Sequence, residues 1–262
     1  MKHTGRDVEK LAAALNRFGD RLNKDVLWRE QKAAYKSLAS LTSYDFVAEL
    51  NEEKDNWRRN VKLRYHLSEH WKNLVKQDKL NDALAVTRWK IKNWGGIKNI
   101  SDATIGEHFA DAVYKKHFLP FEHISSKSKA LALIEPEKLQ IYDARVAVSL
   151  NVIQLAADTE VRLYFAIPST QIRSIQHNED CFQARLPQAA FEELDFVPVP
   201  LEDIYSIYTQ LLLRVARDMQ LSPVEVEMWL FGLAFEFSEA PETLSEILGE
   251  ERQRRRLRNG LN

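Results

Sequence analysis

Cysteine is almost absent: among 262 residues only Cys181 is present, so no internal disulfide can close, and one thiol cannot by itself hold zinc or an iron–sulfur cluster. A reducing compartment is expected, with no metal and no cofactor. Glycine and proline are scarce at 8 each, too few for the tight turns of a many-stranded fold, and the long segments between them keep a helical period. No apolar run approaches the roughly 18 residues that span a bilayer, and the polar N-terminus has no signal-peptide pattern. The expectation is a cytoplasmic, nucleoid-associated protein without a membrane partner.

What the chain does have is charge of both signs, unevenly placed. Residues 1–129 hold 25 Lys+Arg against 17 Asp+Glu, net +8, and residues 130–262 hold 12 against 21, net −9. A whole-chain net charge of −1 averages this away. A basic half of this kind suits a polyanion such as DNA, and equally suits two halves that attract each other.

The expected fold is mainly α, a two-lobed helical bundle with little or no β-structure. It reads as one helical domain over 1–262, with lobes at about 1–100 and 101–250 and a basic tail at 251–262. Amphipathic helices are predicted over 7–22 and 26–42. In the next helix Trp57, Val61, Leu67, Trp71 and Leu74 share a side, and Arg58, Arg59, Lys62 and Arg64 lie around them as a solvated flank. A helix over 78–94 ends at Gly95-Gly96, with Arg88, Lys90 and Lys92 on its outer face and Trp89 packed on a neighbour. Ser101 or Asp102 caps a helix from 103 to 116. Farther on, 160–176 carries one short strand or an extended loop. Ser222-Pro223-Val224-Glu225 starts a helix, with proline at its first position. That helix is apolar nearly all round, so Trp229 and Phe235 can pack in a core or line a pocket.

The chemistry concentrates between Ser126 and Val146. Ser125, Ser126 or Ser128 can cap a short helix that Pro136 ends, which puts Lys127 and Lys129 in its first turn. A lysine beside the exposed N–H groups of a helix start, crowded by a second lysine, holds more of its amine as free base. Schiff-base chemistry needs that property. Asp143 can cap the next helix and still present a carboxylate for proton transfer or charge stabilisation.

The order of a lysine at a helix start, an apolar helix, a proline-bearing turn, a hydrophobic pair, an aspartate and a new helix resembles the core of the helix-hairpin-helix DNA glycosylase superfamily, in particular its 8-oxoguanine DNA glycosylase-like branch. The resemblance implies an N-glycosylase, with AP-lyase activity in its bifunctional members, that flips a damaged or modified base out of double-stranded DNA. Lys129 matches the family's catalytic lysine, with Lys127 the alternative, and Asp143 matches its catalytic aspartate. Ile141-Tyr142 stand for the hydrophobic pair, and Arg145 stands where many members have histidine. Ser126, Lys127, Ser128 and Arg145 are then the candidate DNA contacts, and Tyr142, Trp229 and Phe235 the candidate base pocket. The stretch from Phe118 to Ser126 has no glycine where the family hairpin carries Leu-Pro-Gly-x-Gly. A non-catalytic DNA- or protein-binding component of a genome-maintenance or anti-phage system is the alternative.

Overall fold

A computed structural model describes residues 5–19, 37–38, 40–42, 44–114, 119–157, 159, 161–170, 172–177, 181–239 and 241–258. The described residues are mostly helical, with one two-stranded sheet among them, and no helix among them is long and apolar enough to cross a membrane. The mainly α reading therefore holds. Most of the helix expected over 26–42, residues 26–36 and 39, lies outside the described residues.

The chain divides into two compact units that are interleaved in sequence. The central unit comprises Trp28–Tyr142 with Pro223–Met228; the flanking unit comprises Met1–Leu27, Asp143–Ser222 and Trp229–Asn262. One of the boundaries between them falls between Tyr142 and Asp143.

In the central unit the helices are α2 (Tyr44–Glu52), α3 (Asn56–Lys76), α4 (Leu80–Trp89), α5 (Asp102–Val113) and α6 (Ile124–Leu131). Asp55 caps α3 by accepting from Trp57 N–H at 2.9 Å and Arg58 N–H at 3.3 Å, which sets the phase in which Leu63, Leu67, Trp71 and Leu74 turn inward. Arg64 turns inward with them, against the expected solvated flank. Between α4 and the Gly95-Gly96 stop the chain widens into a π-helical turn, Lys90–Trp94, closed by Gly95 N–H donating to Lys90 C=O at 2.9 Å. Lys90, the first residue of that turn, is fully buried, against the expected outer face. Trp89 packs as expected, with Nε1 donating to Ser37 Oγ at 2.8 Å. Of the two candidate caps of α5, Ser101 does the work: its hydroxyl accepts from Thr104 N–H at 3.0 Å. Ile91, Ile105 and Ala130 then pack into one apolar cluster that fixes α6 against the π-turn and α5.

The flanking unit holds α1 (Gly5–Gly19), α7 (Ala144–Ala156), α8 (Phe182–Arg185), α9 (Gln188–Glu193), α10 (Ile204–Met219), most of α11 (Pro223–Glu239) and α12 (Pro241–Arg258). Its two strands, β1 (Leu163–Tyr164) and β2 (Val197–Pro198), pair in parallel. The other edge of β1 is closed by side chains. Asn151 accepts from Phe165 N–H and donates to Phe165 C=O, each at 2.9 Å, and Gln154 does the same for Leu163 at 2.7 and 2.8 Å. Two amides on successive turns of α7 thus replace a third strand. All these groups are buried, so Asn151→Ala leaves a donor and an acceptor dry and is expected to cost roughly 2–4 kcal/mol in urea melts.

The tail expected to be basic over 251–262 starts inside the fold. Glu251 is fully buried and pairs with Arg162 at 2.7 Å, and Arg254 donates to Leu155 C=O at 3.0 Å. The helical period carries these two residues inward onto α7, which α12 packs against.

Candidate functional site

The Ser126–Leu131 segment differs from expectation in its starting point. Pro120 leads into a 3-10 turn, Phe121–His123, and α6 follows it directly from Ile124. Lys127 therefore sits mid-helix and Lys129 in the last turn. The helix macrodipole at Lys129 favours a cation, the reverse of what a helix start would do. His123, which caps α6, makes no side-chain capping bond.

The four polar residues of this segment have distinct surroundings. Ser126 donates to His123 C=O at 3.1 Å and meets His108 Nε2 at 3.0 Å. With the hydroxyl proton given to the carbonyl, His108 must be the donor in that contact. Burial, followed by the nearby His123 and Lys127, holds the His108 ring down at about 4; it is neutral and cannot take a proton from Ser126. Lys127 is ion-paired with Asp111 at 2.5 Å. Ser128 is fully buried and ties its hydroxyl to both Tyr142 N–H and Tyr142 C=O, at 3.2 and 3.4 Å. Neither serine presents its hydroxyl at the surface.

Lys129 is 1% exposed, and its amine donates to Ser125 C=O at 3.1 Å. The aliphatic stem crosses Gly95 so closely that a Cβ there would lie 2.6 Å from Lys129 Cε and 2.7 Å from Cδ. Gly95 is needed for this close approach. Around the same place the central unit gathers a buried charge cluster: Lys90 from the π-turn, Arg64 from α3 and Glu227 from the start of α11. Arg64 and Glu227 form an ion pair with each side chain 1% exposed, and the second Glu227 oxygen accepts from Ile141 N–H at 2.7 Å. Burial pushes the Glu227 carboxyl up, while the Arg64 charge, its hydrogen bond and the Ile141 N–H pull it back. Lys90 is held well below the ordinary lysine range, by burial first and by the Arg64 charge next; Glu227 opposes this and Lys129 adds to it.

In the flanking unit, Asp143 caps α7 as the sequence indicates, with Oδ1 accepting from Arg145 N–H at 3.0 Å and Val146 N–H at 3.3 Å. Arg145 places its guanidinium 4.5 Å from the Phe231 ring centre and 5.1 Å from that of Phe235, a double cation–π contact. Trp229 and Phe235 are half-buried, and Tyr142, in the central unit, is fully buried.

Arg64, Lys90, Gly95 and Glu227 were not singled out by sequence reasoning as site residues. A signal for one of them was present: Glu227 lies between Val226 and Met228 at the edge of the most apolar stretch of its helix, and a carboxylate buried there calls for a buried cation. Among the described residues, no group of His, Cys, Asp and Glu is arranged to hold a metal ion. In comparisons with protein-family models, curated proteins and solved structures, the chain matches none significantly.

Proposed function

We propose that the chain is a DNA glycosylase, with associated AP-lyase chemistry, that releases a damaged or modified base from duplex DNA by forming a Schiff base between Lys129 and the sugar C1'. The observation that carries this reading is the crowding of a buried lysine by further cations. Lys129 lies over Gly95 in a cluster with Lys90 and Arg64, and buried amines near other cations are the ones used as carbon nucleophiles. Lys127, engaged by the Asp111 carboxylate, is the poorer candidate. Asp143, matched by resemblance to the family's aspartate, stabilises the sugar cation and assists proton transfer. Duplexes carrying oxidised or alkylated purines and pyrimidines, incubated with the protein and borohydride, are expected to give a covalent complex with at least one of them. Salt-dependent DNA binding with neither base release nor a trapped complex selects the non-catalytic binding module instead.

The two duties of Asp143 can be separated. Asparagine caps a helix as well as aspartate does, so Asp143→Asn is expected to keep stability within about 0.5 kcal/mol, whereas Asp143→Ala loses about 1 kcal/mol. Both are expected to lower single-turnover base release about 100-fold or more. Full activity in the Asn variant would leave Asp143 a cap alone.

A further inference from the structure

Three buried nitrogens of the central unit find no acceptor among the described residues. Arg64 commits Nη1 to Glu227, but its Nε and Nη2 have no hydrogen-bond partner, and neither has the Lys90 Nζ. Arg64 is 1% exposed and Lys90 is fully buried. Two hydrogen bonds bring these side chains to the same place. Trp71 Nε1 donates to Thr87 Oγ1 at 3.0 Å and Trp94 Nε1 to Asn60 Oδ1 at 2.9 Å, so α3 runs antiparallel to α4 and to the π-turn that extends it. Arg64 lies one turn after Asn60 and Lys90 one turn before Trp94, which sets the two opposite each other on facing sides.

Glu227 cannot serve all three nitrogens. One of its oxygens is engaged by Arg64, and the other accepts from Ile141 N–H at 2.7 Å. A buried N–H left dry is costly, and native interiors leave few of them. The two open nitrogens of Arg64 are also not scattered donors: Nε and Nη2 form one edge of the guanidinium, the fork that takes two oxygens of a planar oxyanion side by side.

We propose that the Arg64 Nε–Nη2 fork and the Lys90 amine hold one small planar oxyanion of single charge, of the formate, nitrate or bicarbonate kind, inside the central unit. The fork binds two oxygens, and the amine donates a further hydrogen bond in either protonation state. The anion supplies the second negative charge that two buried cations beside one carboxylate call for. Burial sets its size: all three nitrogens are cut off from solvent, so a phosphate of a nucleic-acid backbone does not reach them. Nor does this inference rest on the Schiff-base reading, since the Lys129 amine donates elsewhere, to Ser125 C=O.

Sodium formate and sodium nitrate, each exchanged against sodium gluconate at constant ionic strength, are the probes. The wild-type thermal midpoint is expected to rise as either probe goes from about 1 to about 100 mM, because an anion bound only by the folded state stabilises it. Lys90→Met keeps the stem and removes the donor and its charge, and is expected to weaken binding about tenfold or more. In NMR spectra of isotope-labelled arginine, the Arg64 Nε–H resonance, assigned through its own side-chain and backbone correlations, is expected to shift with formate and to show an Overhauser contact to the formate proton. If Lys90→Met does not fold, these wild-type spectra decide alone. A midpoint unmoved by both probes, or an Arg64 Nε–H that ignores formate, overturns the inference and leaves Lys90 a neutral amine with no anion beside it. An equal rise in wild type and Lys90→Met overturns it as a general salt effect.

Discussion

Glu227→Ala is expected to lower folding stability by roughly 3–5 kcal/mol and the thermal midpoint on the order of 10 °C, the largest stability loss of any single change at the cluster. The substitution removes the counter-charge of Arg64, a guanidinium 1% exposed, and the acceptor of the buried Ile141 N–H. Neither group can regain water without opening the central unit. Breaking a buried pair from one side costs far more than the pair contributes net, because the remaining charge stays dry. Arg64→Met in the Glu227→Ala background is accordingly expected to recover part of the loss, a coupling that a double-mutant cycle measures. A cost below about 1 kcal/mol for Glu227→Ala would mean that the pair is solvated.

Lys129→Gln is expected to abolish borohydride trapping, by about 100-fold or more, while leaving duplex binding within a few-fold. Glutamine matches much of the stem that lies across Gly95 and can still donate toward the Ser125 carbonyl, so the fold loses little. What it lacks is a nucleophilic amine. Gly95→Ala offers a complementary probe, because the added methyl meets the Lys129 stem and, at 2.8 Å, the Ile91 carbonyl oxygen. A Lys129→Gln variant that still traps would assign the nucleophile to another amine.

Local signals in the sequence were read correctly where the physics is local. The Asp143 cap of α7, the Ser101 cap of α5 and the proline at the first position of α11 depend on residues within one turn, and each is where its residues indicate. The start of α6 differs from a serine-capped one because the 3-10 turn at Phe121–His123 runs directly into Ile124, ahead of the serines. That error matters for chemistry, since it moves Lys129 from the positive to the negative end of a helix dipole. Activation of an amine here has to come from burial and neighbouring cations.

The cluster itself was not legible for a different reason. Arg64 and Glu227 are 163 residues apart in sequence, and charge rather than helical period puts Arg64 and Lys90 on exposed faces, since Arg64 lies three and seven residues before Leu67 and Trp71, and Lys90 three and seven after Thr87 and Ala83. The carboxylate that makes the burial of Arg64 tolerable arrives from α11, far along the chain. The same fact tempers the charge asymmetry: Arg64, Lys90, Lys127 and Lys129 are all buried, so the +8 of residues 1–129 overstates the charge a polyanion would meet at the surface.

The most direct test of the Schiff-base reading is to digest the borohydride-trapped protein–DNA complex and map the modified lysine by mass spectrometry. The expected result is a single adduct on Lys129. An adduct on Lys127 or Lys90, or no adduct with any modified duplex, would contradict the assignment of Lys129 as the nucleophile.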